Sequence, residues 1–416
     1  MAGGNPPKIA EHAGALARPS APRRRIAILD LGFIPIYWGR FWEVINQIGD
    51  YDYVVFHGDP PTGSGWLPAP GPHNFPNRRI RNGTVRLFGW TAYWQPVVRE
   101  VLTGGYDAIV LGHEIKFLSN VFLALLWKLR RRKLIYWGFG YHADVGFSHK
   151  GLAKRVASAF KDRLAGMADG YLAYTEHGRT RMTQEVGFDP TRLWVLNQTV
   201  DVETQVALHA EASRRSRAEI RRELGLPDDA VVFLFLGRLI PDKKVDELIE
   251  AVRRIRDERL AQTPIRAVII GYGQEEPALR RLAEGLSEIR FEGAIADQAR
   301  VAAYLRAADA VVIPGVTGIT VTHAFAHGVP LITRAHGMHS PEAEYIRDGE
   351  NGLMVEGDMT RFVSALGWFA DHPDLRCRLA AGALATRASL SIEHMARKFD
   401  ACVRTVLGDP PRTADR

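Results

Sequence analysis

The 416-residue chain holds only two cysteines, Cys377 and Cys402. Both lie far from its glycine-rich turns, so they read as two core thiols, not as a disulfide framework or a metal site, and they suit a reducing cytosol. Long apolar runs are missing as well. The longest beside a basic cluster, Val121 to Trp127, has seven residues, far short of the roughly twenty that a membrane-spanning helix needs. Residues 1–22 contain Ala, Pro, Gly and a few charges but no apolar stretch. A disordered tail is expected there, and no signal peptide. No short-period repeat is visible, which argues against a solenoid, and no nucleic-acid motif appears, so no nucleic-acid partner is expected.

What is present looks like an ordinary globular chain, with 46% hydrophobic and 24% charged residues. Its length asks for two or three domains. The net charge of +7 is uneven, because residues 1–205 carry 25 Lys+Arg against 17 Asp+Glu and the remainder is nearly neutral. The first half therefore faces something acidic, such as a phospholipid surface or a pyrophosphate-linked acceptor, or merely stays soluble.

Short apolar runs alternate with helical patterns along the chain. Strands are expected at Arg25–Leu31, Tyr53–His57, Val85–Phe88, Ala108–Leu111, Leu134–Trp137, Tyr171–Tyr174 and Leu193–Leu196. After a polar linker, Asp201 to Arg217, they recur at Val231–Leu236, Arg266–Ile270, Ile289–Glu292, Ala310–Ile313, Leu331–Thr333 and Leu353–Val355. Such alternation implies parallel sheets covered by helices on both faces. We expect an α/β chain of two doubly wound, Rossmann-like domains, residues 23–205 and 206–390, followed by an amphipathic helix at 391–410. The ligand would lie in the cleft where the two sets of strand ends face each other.

The stretch VVFLFLGRLIPDKKVDELIE, Val231 to Glu250, concentrates the chemistry. A buried strand ends at Gly237 and a helix begins near Lys244, so Arg238, Lys243 and Lys244 sit at a strand's carboxyl end beside a helix amino terminus. Cations there suit a diphosphate, since backbone N–H groups and the helix dipole add to their charge. A solvated basic turn is the plain alternative. In the first half, Gly39 and Arg40 stand at another strand-to-helix turn, where a glycine lets a ligand approach the backbone.

Four segments, in order, resemble family 4 of the retaining glycosyltransferases, also called group 1, which use the GT-B fold. FLGRLIPDKKVDELIEAV is similar to that family's donor-phosphate motif, and IIGYGQEEPALRRLAE to its glycine pair, Gly271 and Gly273, with the helix that follows. DAVVIPGVTGITVTHAFAHGVPLIT and YIRDGENGLMV resemble its sugar-nucleotide segment, and YTEHGRTRMTQEVGFDPTRLWVLNQTVD the last strand–helix–strand of its first domain. The likeness covers roughly residues 170–360. Three departures stand out. Val245 replaces a glycine. Gly315 and His323 occupy the places of two motif glutamates, as in a subset of enzymes acting on bacterial surface glycans. Phe139, in WGFG, stands where that subset has a histidine.

The resemblance implies a glycosyltransferase moving sugar from a UDP- or GDP-sugar to a glycan or lipid-linked acceptor, with retention and without a metal or other cofactor. Arg238 and Lys244 would stabilise the leaving diphosphate, with Lys243 able to substitute, and His142 would stand near the anomeric carbon. Gly293 and Ile295 would lie against the nucleobase. Gly315, Gly318, Ile319 and Thr320 would offer backbone at the amino end of TVTHAFAHG, and His323 would reach the ribose. His113 and Glu114 are second candidates for the acceptor, or simply cap the next helix. The final helix would cross back onto the first domain. A cytoplasmic protein is expected, with an anionic membrane surface as a further partner through KRVASAFKDRL and LLWKLRRRK. The rival readings are a non-catalytic scaffold that binds a sugar nucleotide and a sugar-nucleotide epimerase.

Overall fold

Apolar runs too short for helices become buried parallel strands in both halves. The structure, a computed structural model, describes residues 23–35, 38–60, 68–69, 71–87, 90–140, 152–197, 199–335 and 339–412. His142 and the expected tail, residues 1–22, fall outside them.

The first half contains β1 (Arg25–Leu29), α1 (Gly39–Ile48), β2 (Asp52–His57), β3 (Asn77–Arg79), β4 (Gly83–Leu87), β5 (Trp90–Trp94), α2 (Val98–Thr103) and β6 (Ala108–Gly112). It continues with α3 (Leu118–Leu129), β7 (Lys133–Gly138), α4 (Leu152–Gly166), β8 (Gly170–Ala173), α5 (Glu176–Gln184) and β9 (Leu193–Val195). Seven strands make one sheet in the order β3-β2-β1-β6-β7-β8-β9, every pair parallel. The strand expected around Val85 is not part of it. It forms β4, one arm of a separate antiparallel ribbon in which Val85 faces Ala92.

The second half runs α6 (Val202–Ala212), α7 (Arg217–Glu223), β10 (Val231–Leu236), α8 (Val245–Glu258), β11 (Ile265–Ile270), α9 (Glu276–Leu282), β12 (Ile289–Gly293) and α10 (Gln298–Ala307). Then come β13 (Ala310–Val312), α11 (Thr320–Ala326), β14 (Leu331–Arg334), β15 (Gly352–Val355), α12 (Met359–Asp371), α13 (Pro373–Arg387) and α14 (Ile392–Leu407). Its parallel sheet has the order β12-β11-β10-β13-β14-β15, that of a dinucleotide-binding fold, whose ligand crevice opens where the order reverses. Here that point lies between β10 and β13. The stretch expected as a linker is instead largely the helix α6, because Asp201 accepts the Thr204 N–H at its start (3.0 Å) and closes the first turn as an N-cap.

Helix α14 returns to the first half. Met395, Phe399, Cys402 and Val403 join the core built by Trp42, Trp137 and Ile28, with the Phe399 ring edge-on to Trp42 and Trp137. Tyr53 donates to Asp400 inside this contact (2.7 Å), and Arg404 pairs with Asp50. Burying a large aromatic stabilises by about 1.5–3 kcal/mol, so the last helix fastens the lobes together. Only one of the two cysteines is in a core: Cys402 is buried, whereas Cys377 is exposed on α13, on the solvent side of a helix that buries Leu375 and Leu379.

Candidate active site

The apolar strand β10 ends at Leu236, and the chain turns sharply through Gly237, Arg238 and a 3-10 turn at Pro241–Lys243 before α8 begins. Lys244 makes the join in the left-handed region (φ 51°), which costs a non-glycine residue about 1–2 kcal/mol. Its ammonium donates to Glu247 Oε1 (3.1 Å), and Glu247 also pairs with Arg334 from β14. Arg238 is half-buried. Both expected phosphate-binding cations therefore occupy the carboxyl edge of β10, beside the reversal point of the sheet.

Lys243 has another task. It is buried, and its ammonium donates to the carbonyls of Val316 (2.6 Å) and Thr317 (2.9 Å). Burial pulls its pKa down to about 8, against the nearby carboxylate of Glu342. The backbone reciprocates: Gly315 N–H donates to Lys243 O (3.1 Å) and Val316 N–H to Asp242 O (2.8 Å). Gly318 N–H donates to Ser340 Oγ (2.7 Å), and Ser340 in turn donates to Glu342, a buried carboxyl whose pKa burial raises. The expectation that Gly315 and Gly318 offer free N–H groups is thus corrected, since both are used to join the turns after β10, β13 and β14. Two expected donors remain, because among the described residues the N–H groups of Ile319 and Thr320 have no protein acceptor.

The glycines after β11 and β13 are there for close packing. A Cβ on Gly271 would stand 1.8 Å from Gly237 O, and one on Gly315 2.1 Å from Asp242 O. Gly273 meets Leu239 O in the same manner. The Thr320 hydroxyl donates to Leu236 O (3.0 Å) and fixes the start of α11 against β10. His323 is half-buried, its Nδ1 shut in without a partner among the described residues, and burial pushes its pKa down to about 4. Its ring is neutral at neutral pH. Gly293 and Ile295 flank the turn after β12, with Ile295 partly packed on the core.

Across the crevice stands the carboxyl edge of the first sheet. Glu344 reaches over from the second half, and its carboxylate accepts the N–H groups of Glu176 (2.9 Å) and His177 (2.8 Å) in the first turn of α5. No feature of the sequence announced this contact. His113, considered for the acceptor, has both ring nitrogens occupied: Nε2 donates to Lys161 O (2.9 Å) and Nδ1 accepts from Tyr171 Oη (2.9 Å). That ring is structural. Glu114 takes the buried ammonium of Lys161 (3.3 Å). Arg40 pairs with Glu43 (3.0 Å) one turn into α1, and Gly39 packs on Ala69.

Sequence reasoning passed over Asp30, at the end of β1. Its carboxyl accepts the Leu31 N–H, and burial, followed by the charge of Glu114, raises its pKa to about 7. It also lies 2.8 Å from where a Cβ on Gly112 would be. Nearby, Asn120 donates to Leu29 O (3.1 Å) while its Oδ1, like Oε1 of the buried Gln95, has no partner among the described residues. A lone carboxylate after a strand gives no pattern in a sequence, so the only available signal was its position.

Comparison with known proteins now bears on this geometry. The model of the family described as "Glycosyl transferases group 1" matches residues 230–372, the segment that carries the second half's residues at the crevice. Curated relatives include the D-inositol 3-phosphate glycosyltransferase of Streptomyces scabiei, 32% identical over 231 residues (52% of this chain, 50% of that one). Another is its namesake from a Nocardioides species, 31% identical over 262 residues (57% and 54%). The chain therefore matches about half the length of these relatives. Among solved structures, a glycosyltransferase from Rickettsia africae aligns with a TM-score of 0.67 at 11% identity, covering 94% of this chain and all of that one. Sucrose-phosphate synthase from Thermosynechococcus elongatus aligns equally well, with a TM-score of 0.67, 16% identity, and 93% and 100% coverage. At such identities the likeness is one of fold, and the fold is GT-B.

Proposed function

We propose that this chain is a retaining glycosyltransferase that moves a sugar from a UDP- or GDP-sugar to a hydroxyl of a glycan or lipid-linked acceptor, in bacterial surface polysaccharide synthesis. The observation that carries the reading is the placement of Arg238 and Lys244 at the carboxyl edge of β10, beside the reversal point of the sheet and within the segment matched by the group 1 family. As the glycosidic bond breaks, negative charge grows on the diphosphate while the anomeric carbon becomes oxocarbenium-like. Two cations held in place at that edge stabilise that charge without reorganising, which is the largest kind of catalytic contribution. The N–H groups of Ile319 and Thr320 would add to it.

With Gly315 where a carboxylate would serve as nucleophile, attack from the same face as the departing group fits best, a diphosphate oxygen taking the acceptor proton. No metal or other cofactor is needed in this scheme, since Arg238 and Lys244 carry the charge. His323, neutral at working pH, would share hydrogen bonds with the ribose, and the nucleobase would rest near Gly293 and Ile295. His142 remains our candidate beside the anomeric carbon.

Thermal denaturation with UDP and GDP, followed by nucleoside diphosphate release from the matching sugars, tests the proposal. One of the two should raise the melting temperature by roughly 5 °C at saturating concentration. No shift with either and no release from any donor would overturn it. A non-catalytic scaffold is the second reading, favoured by Gly315 and His323. It requires the same thermal shift with no release.

A further inference from the structure

The outer surface of α3 and α4 does not have the usual charged face of a surface helix. The two helices bury Leu123, Ala124, Trp127, Leu164 and Ala165 against the same side of the first sheet. Outward they present Phe122, Leu125 and Leu129 on α3 and Val156 and Phe160 on α4, between 40% and 79% exposed. The spacings of three and four place each set on one stripe. These are five of the nine large apolar side chains that the described residues expose, and the other four are scattered over the second half and its connections.

The charge around the stripes is predominantly positive. Arg130 and Arg131 follow Leu129, and Arg155 and Arg163 flank Val156 and Phe160; all four are exposed, and none pairs with a carboxylate among the described residues. The acids of this face are paired, Asp162 and Glu185 with the one guanidinium of Arg181 (3.3 and 3.2 Å) and Asp169 with Lys128 (2.9 Å). An apolar strip rimmed by uncompensated arginines is complementary to a layer with an apolar interior and an anionic surface.

We infer that the α3–α4 face docks the protein on an anionic lipid bilayer, with Phe122, Leu129, Val156 and Phe160 entering the headgroup boundary and Arg130, Arg131, Arg155 and Arg163 on the phosphates. Phe122 lies next to the Trp94 ring (5.6 Å), at the end of α3 that starts from the carboxyl edge of the first sheet. The strip thus runs from the mouth of the crevice outward, and a lipid-linked molecule would enter without leaving the surface. The surface itself does not depend on the sugar-transfer reading.

Flotation of the full chain at low salt tests this, with vesicles of phosphatidylglycerol and phosphatidylcholine beside vesicles of phosphatidylcholine alone. The protein should float only with the anionic vesicles and be released by about 0.5 M salt. Leu129→Glu with Phe160→Glu should reduce the bound fraction at least tenfold, and Arg130→Gln and Arg131→Gln about fivefold each. Leu384→Glu, at an exposed apolar residue of the second half, should change nothing. The exposed positions leave folding intact, which melting curves with and without nucleoside diphosphate verify. Parent protein that floats with anionic vesicles but does not respond to nucleotide would uphold the docking face and count only against the transferase. Protein left at the bottom with anionic vesicles overturns the inference. So do a double glutamate variant that floats like the parent and a dimer that this variant dissolves, since a second copy would then cover the face.

Discussion

At the second half's side of the crevice, the turns after β10, β13 and β14 are tied to one another through Lys243, Ser340 and the backbone of Gly315, Val316 and Gly318. At the first half's side, among the described residues, Asp30 has no cationic partner within hydrogen-bond reach, and Gln95 and Asn120 keep acceptor atoms with no partner. The difference is one of preorganisation. The diphosphate site proposed above would need its cations held still before the charge develops, and the turns that carry them are tied down by these polar groups. The first edge retains unsatisfied polarity, a state that costs free energy in the folded protein and suits a surface completed by a polyhydroxyl molecule.

The sharpest test of that contrast is at two adjacent lysines and their neighbour. Arg238→Ala with Lys244→Ala should lower nucleoside diphosphate release by about 10³-fold or more, with the melting temperature nearly unchanged, since both residues are partly exposed. Activity within tenfold of the parent would remove the basis of the proposed function. Lys243→Met should do the opposite. It removes the charged donor from the Val316 and Thr317 carbonyls and the positive charge nearest the buried Glu342, a loss of about 1.5–3 kcal/mol, readable from urea unfolding. Adding Glu342→Gln should recover part of it. If Lys243→Met is as stable as the parent and merely inactive, this lysine binds donor and the turns are held by something else.

These lysines also show how far the sequence could be read. Alternating apolar runs located β10 and α8 to within a residue, because burial on both faces of a parallel sheet leaves an unmistakable pattern. Arg238, Lys243 and Lys244 could be placed at the strand's end, but their division of labour could not. Which of Lys243 and Lys244 turns inward depends on the left-handed backbone at Lys244 and on carbonyls about seventy residues away. The β4–β5 ribbon escaped for a similar reason, since Val85 alternates like any strand and pairing partners are not encoded in period. α6 reads as a linker in the sequence because its polar outer face hides a helix, though Asp201 and Thr204 have the spacing of an N-cap. Glu344 and Asp30 act through neighbours distant in sequence, where no local pattern reports them.

Asp30 offers a test on the other side of the crevice. Its folded-state pKa of about 7 lies above the ordinary 3.8, so between those values the native protein holds a proton that the unfolded chain has lost. Stability from this group is complete below the lower value, falls as pH rises through the window and is gone above about 7. Asp30→Asn keeps the uncharged form at every pH. It should leave melting unchanged near pH 4 and raise stability at pH 8 by on the order of 2–4 kcal/mol. Equal melting of both proteins at pH 8 would mean that the carboxyl is already well solvated, and the contrast between the two edges would weaken.

The contact that spans the two edges should matter least for stability and most for their separation. Glu344 is exposed, and its carboxylate only borrows two N–H groups at the start of α5. Exposed charged contacts of this kind contribute about 0–1 kcal/mol, and the helix dipole adds a few tenths. The lobes are joined far more firmly by α14, whose Phe399 and Cys402 are wholly buried. Glu344→Ala should therefore shift unfolding by less than about 1 kcal/mol, yet a pair of fluorophores placed on α5 and α13 should report a wider mean separation in the free protein. Saturating nucleoside diphosphate should restore the narrower distance if the ligand itself bridges the crevice. An unchanged separation in the variant would mean that α14 alone sets the angle between the lobes and that Glu344 merely caps a helix that happens to lie within reach.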